Sequence, residues 1–221
     1  MTQGVRLYRQ RKFQEALEAL LETDVEQQDY AELSYYLGLC YTQLGQYDEA
    51  LLYLEQVVSS DLSFPHLYQS RMILGYIYAI TGRSRLAEFE FARLLEDGYE
   101  SPAVYAALAY ANHDQGKVAP AIANLEKALE LDADNANAKN SLGYILADQG
   151  IKVDRALKFC LAAVDRDPQN AAYLDSLGWA QYQSGRVREA ADTLRRAQMI
   201  APTNRVIAEH LNEVRQSYAR R

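Results

Sequence analysis

Small and apolar side chains recur along this chain at spacings of three and four, the period of a helix face and not the alternation of a strand. Alanines mark the beat at Ala16, Ala50, Ala87, Ala121, Ala156 and Ala190. Four residues after each stands a larger or soft side chain: Leu20, Leu54, Phe91, Leu125, Cys160 and Leu194. Upstream of each pair lies a residue with little or no side chain, at Gly4, Gly38, Gly75, Ala109, Gly143 and Gly178, in steps of 34, 37, 34, 34 and 35 residues. Leucine precedes it at Leu37, Leu74, Leu108, Leu142 and Leu177. A fixed period of this length is the mark of a repeat architecture.

A second glycine register follows seven residues after the first, at Gly45, Gly82, Gly116, Gly150 and Gly185, so that Gly98 alone of the 11 glycines stands outside both. The spacing predicts one unit, repeated: helix, tight turn at the second glycine, helix, loop. The first register lets two helices approach closely, and the second ends a helix in a left-handed cap that is cheap only without a Cβ. Pro168 and Pro202 fall where a second helix has to stop, and Pro120 falls in the first turn of another, where a missing N–H costs nothing. The expected repeats are 1–30, 31–67, 68–101, 102–135, 136–170 and 171–204, in a single domain spanning 1–221. The stretch Asp61–His66 is expected to be a longer loop or an extra helical turn, and the turn Gly150–Asp154 holds one extra residue. Residues 205–221 put Ile207, Leu211, Val214 and Tyr218 on one face and Arg205, Glu209, Glu213 and Arg215 on the other. That two-faced segment is expected to be a helix closing the last apolar surface. The first repeat is short, which allows an N-terminally cut or processed chain.

The pattern resembles the tetratricopeptide repeat (TPR) family. Its signature is met by Leu37, Gly38, Tyr41, Ala50 and Leu54, by Leu74, Gly75, Tyr78, Ala87 and Phe91, and by Leu177, Gly178, Ala190, Leu194, Ala197 and Pro202. Pentatricopeptide repeats are of similar length but lack this glycine register. The resemblance implies an all-α, right-handed solenoid of about six helix-turn-helix repeats with a C-terminal capping helix. The run from Asn140 to Trp179, with Asp167-Pro-Gln-Asn inside it, is similar to bacterial TPR proteins of envelope-associated type.

Composition narrows the function. Thirty-two alanines, 29 leucines and only 5 prolines suit a helical chain, while 23 Lys and Arg against 30 Asp and Glu leave a net charge of −7. That balance argues against gripping a nucleic-acid backbone. Charge is uneven: residues 1–110 hold 8 cations against 16 acids, and residues 111–221 hold 15 against 14. No apolar run has the length of a membrane span or a leader. The cytoplasm is therefore the default expectation, and the periplasm the alternative if the chain is a processed form. Cys40 and Cys160 are expected to be small, buried and reduced. His66, His113 and His210 fall in different repeats, and the Asp132/Asp134 and Asp165/Asp167 pairs stand where caps are needed. Neither a catalytic set, a metal site nor a cofactor loop emerges, so a non-enzymatic role is expected.

The resemblance further implies that the first helices of all repeats line a concave face, with the residue after the first small register pointing into it. Those residues are Leu39, Tyr76, Tyr110, Tyr144 and Trp179. Tyr35, Asn140 and Asp175 stand four before, and His113 and Tyr182 three after, with Asn137 one turn from Asn140. An amphipathic ring in a groove gives contact area at small entropic cost, and paired amides suit an extended backbone. Asp114, Asp148, Asp175, Glu209 and Glu213 add an acidic cast. The expected partner is a protein or peptide segment with apolar anchors and positive charge. The cationic clamp with which some TPR proteins hold chaperone carboxylates is absent, since Tyr35, Leu39, Met72 and Tyr76 occupy its positions. The alternative is self-association through exposed terminal repeats.

Overall fold

The computed structural model describes residues 1–60 and 66–219, with side chains described through Ser217. Thirteen α-helices occupy the described residues. Twelve pair into antiparallel hairpins: Thr2–Arg9 (α1) with Phe13–Leu21 (α2), Tyr30–Gln43 (α3) with Tyr47–Val58 (α4), and Leu67–Ile80 (α5) with Ser84–Glu96 (α6). Pro102–Asp114 (α7) pairs with Val118–Leu131 (α8), Ala136–Asp148 (α9) with Val153–Arg166 (α10), and Ala171–Gln183 (α11) with Val187–Ile200 (α12). Arg205–Ala219 (α13) follows alone. The expected longer loop at Asp61–His66 lies, but for His66, outside the described residues, as does the side chain of Tyr218.

The two glycine registers do what their spacing implies. A Cβ on Gly38 would stand 2.6 Å from Leu54 Cγ, and one on Gly178 2.6 Å from Leu194 Cγ, so the hairpin partners are the side chains four residues after the alanine beat. The second register takes positive φ throughout, from 64° at Gly150 to 84° at Gly185. Arg11 fills the same place in the first hairpin at φ 61°, a conformation that costs a residue with a Cβ. The extra residue after Gly150 is absorbed by Lys152 at φ 47°, immediately before α10.

The aspartate pairs do not cap helices themselves. Asn135 accepts from Ala138 N–H, and Asn170 from the N–H groups of Ala172 and Tyr173. Asp132 and Asp167 instead hold the turns leading in, accepting from the N–H groups of Asp134 and Gln169.

Packing divides the chain into two compact units, Met1–Glu100 and Ser101–Arg221. In the first, Leu20, Leu54, Leu74, Ile77 and Leu94 are fully buried. Its interior also holds a buried ion pair, Arg71 Nη1 to Glu90 at 2.7 Å, with Asp97 3.6 Å from Arg71 Nε. Burial raises the Glu90 carboxyl above its usual value, against the pull of Arg71. In the second unit the core runs from Ala109 and Leu125 through Leu142, Leu146 and Leu174 to Ile207. Ile207, Leu211 and Val214 of α13 are buried, as the two-faced pattern predicts. Cys40 and Cys160 are free and buried.

Candidate functional site

The second unit contains a cavity of about 310 Å³. Successive first helices supply its walls because their registers repeat: Tyr110 and His113 from α7, Asn140 and Tyr144 from α9, and Asp175 from α11. Asn204, Val206 and Ile207 close one side from the start of α13. Five of the residues expected to face a partner therefore meet in one place.

The side chains differ in how open they are. Tyr110 lines the cavity and is 55% exposed. Tyr144 is half-buried between two histidines, 6.2 Å from the His113 ring and 6.1 Å from that of His210. Burial raises its phenol pKa, and the carboxylates of Asp148 and Asp175 raise it further, so Tyr144 stays a neutral hydroxyl at ordinary pH. Asn140 contributes a buried side-chain oxygen with no hydrogen-bond partner. Among the described residues lining the cavity there is no Lys or Arg.

Four expected partner contacts turn out to be engaged with the protein itself. Trp179 is 6% exposed, its ring stacked on His210 at 4.3 Å and its indole N–H donating to Asp148 at 3.2 Å. Asp175 is buried, and each of its carboxylate oxygens lies 3.0 Å from His210 Nδ1. Asn137 accepts from the Tyr173 hydroxyl at 2.6 Å. Tyr182 packs against Trp179 with centroids 5.4 Å apart. The physical reason is the same for all: one repeat's first helix rests on the next, so part of this face is interior. Of the acids expected to colour the groove, Asp175 lines the cavity while Asp114, Asp148, Glu209 and Glu213 do not, and Glu209 is paired with Arg205 at 2.6 Å.

The remaining candidates lie in the first unit. Tyr35 and Leu39 are buried there, Tyr35 donating to Gln69 at 2.6 Å and stacking on His66 at 4.4 Å, while Tyr76 is 58% exposed. Burial raises the Tyr35 phenol well above its ordinary range.

His210 is the residue that sequence reasoning missed. It stands 35 residues after Asp175, which itself stands 35 after Asn140. Carrying the groove register one step past the sixth repeat would have found it.

Residues 1–63, 43–100 and 152–205 match the tetratricopeptide repeat family, and residues 109–150 match the TPR repeat. The chain belongs to the tetratricopeptide repeat family. A TPR repeat-containing protein of Pseudomonas aeruginosa, PA4667, is 38% identical over 96 residues, which cover 42% of this chain and 16% of that protein. The human protein O-mannosyl-transferase TMTC1 is 24% identical over 185 residues, 82% of this chain and 20% of that one. The chain thus spans about a fifth or less of the length of these relatives. The bacterial relative agrees with the bacterial likeness read from the sequence.

Solved structures share the fold. YrrB, described as a TPR protein with an unusual peptide-binding site, superposes with a TM-score of 0.62 at 19% identity, over 89% of this chain and 96% of YrrB. A MamA protein gives 0.64 at 22% identity over 78% and 92%. The thermophilic TPR protein TTC0263 of Thermus thermophilus gives 0.63 at 18% over 83% and 98%. The TPR solenoid is a scaffold for protein–protein interaction. Among the described residues no helix is long and apolar enough to cross a membrane.

Proposed function

We propose that the chain is a non-enzymatic scaffold that captures an extended segment of a partner protein in the cavity of residues 101–221. The observation that carries this reading is the convergence of Tyr110, His113, Asn140 and Tyr144 on one open space. A ring that is apolar on its face and polar at its tip anchors a ligand side chain while keeping its hydroxyl hydrated. Asn140, whose amide oxygen has no partner within the chain, offers hydrogen bonding to an extended backbone. Walls without Lys or Arg, near the carboxylates of Asp148 and Asp175, favour a ligand with apolar anchors and positive charge. YrrB, whose peptide-binding site is part of its description, gives the reading a precedent in fold only.

The test is selection from a random peptide library, followed by titration of the best binders against Tyr110→Ala. Because Tyr110 is exposed, the variant should melt with the parent and bind at least about tenfold more weakly. Selection of acidic peptides, or full binding by Tyr110→Ala, overturns the proposal.

A further inference from the structure

Charge along the chain is more sharply segregated than the two halves show. From Phe13 to Ser70 the sequence holds 11 Asp and Glu and no Lys or Arg. From residue 186 to 221 it holds eight Arg and four acids. The four cations of residues 1–12 precede the acidic run, and one of them, Lys12, is held by Glu15 at 3.0 Å.

Each run has a surface. Glu15, Glu18 and Glu22 sit three and four residues apart along α2 and its C-terminal cap, all exposed, and exposed Asp24 and Glu26 continue them toward α3. At the other end, α12 and α13 enclose a groove of about 370 Å³ lined by Arg188, Arg195 and Arg215, with Ala191, Asp192 and Val214. Asp192 is bonded to Arg195 and is the groove's one acidic residue among those described. Arginine forks on a concave surface are suited to bidentate capture of carboxylates.

The register explains why this end differs from the rest. In α11 Leu174 and Leu177 are buried and Gly178 lies against Leu194 of α12. Their equivalents in α13, 35 residues on, are Glu209, Asn212 and Glu213, all exposed. Among the described residues these three positions give a further helix no apolar seat, and the arginine groove lies beside them.

We infer that the arginine groove between α12 and α13 receives the acidic face of α2 from a second copy of this chain. The contact is heterologous, one copy giving the groove and the other the acidic face, so it either closes into a ring of copies or runs on as a chain of them. The attraction is between exposed charges and is screened by salt. It uses neither the cavity at Tyr110 nor any residue assigned to it, and therefore stands or falls separately from the peptide-binding reading.

The experiment is light scattering of the full chain across a concentration series at low salt and at about 0.5 M NaCl, where screening is strong, with two charge-reversal variants. One carries Arg188→Glu, Arg195→Glu and Arg215→Glu, and the other carries Glu18→Lys and Glu22→Lys. All five positions are exposed, and unchanged helical signal and melting establish that both variants fold. The parent should grow in mass with concentration, and salt should reverse the growth. Each variant alone should be monomeric. Mixed, the arginine variant keeps only the acidic face and the glutamate variant keeps only the groove, and the pair should stop at a one-to-one dimer. A parent that stays monomeric throughout, a variant that still assembles like the parent, or a mixture that fails to pair overturns the inference. A monomeric parent whose groove binds an acidic peptide overturns the second copy as its occupant.

Discussion

Arg11 occupies a place where five later hairpins have glycine, and its φ of 61° lies close beside the range those glycines adopt. That conformation is unfavourable for an L-residue, so Arg11→Gly should raise stability by about 1 kcal/mol in urea denaturation. The first register makes the opposite prediction. A Cβ on Gly143 would meet Cys160 Sγ at 2.6 Å and the Ala156 carbonyl at 3.0 Å, and backbone does not swing aside. On Gly38 the near atoms belong to Leu54, with the Ala50 carbonyl at 3.5 Å. Gly143→Ala should therefore cost about 1–3 kcal/mol and more than Gly38→Ala. Both glycine roles were legible because they are local: a turn and a close approach depend on one residue and its register. Whether a groove aromatic is open or covered was not legible, because Trp179 is covered by His210, and that contact exists only once α13 lies on α11.

α13 shows how an element far from the cavity's centre shapes it. Its apolar face, Ile207, Leu211 and Val214, was readable from spacing alone. Its second role was not, since Asn204 and Val206 look like loop and surface until the helix closes the cavity wall. Leu211→Ala, at a fully buried position, should cost about 2–5 kcal/mol by thermal melting and expose α13 to protease before the rest of the unit. Trp179 is the chain's one tryptophan, so its emission reports the seating of α13 directly. His210→Ala should shift that emission while leaving the helical signal intact, because it removes a ring stacked at 4.3 Å and no helix contact of the backbone.

For the whole molecule, the interior sets a limit in alkali. Burial pushes the Cys40 thiol from 9.0 to about 11 and the Cys160 thiol to about 12, and it raises the phenols of Tyr35 and Tyr78 as well. In the unfolded chain these groups lose their protons at lower pH than in the folded one. Their contribution to stability is thus complete below about pH 9 and declines from there toward about pH 12. The melting temperature should be level near about pH 7–8 and fall by about pH 10.5, and both thiols should resist alkylation at about pH 8 until the chain unfolds. Most of the described acids and arginines in the two charged runs sit at solvent-facing positions that packing leaves unconstrained. Among the described residues the well-packed helix pairs of each unit lie one or two elements apart in the chain, α9 with α10 and α11, α11 with α12 and α13. Loops closed on folding are therefore short, and the search for native contacts is quick for a chain of this size. Amide exchange should run as a gradient, fastest in terminal hairpins and slowest in those flanked on both sides, because each hairpin owes its protection to its neighbours.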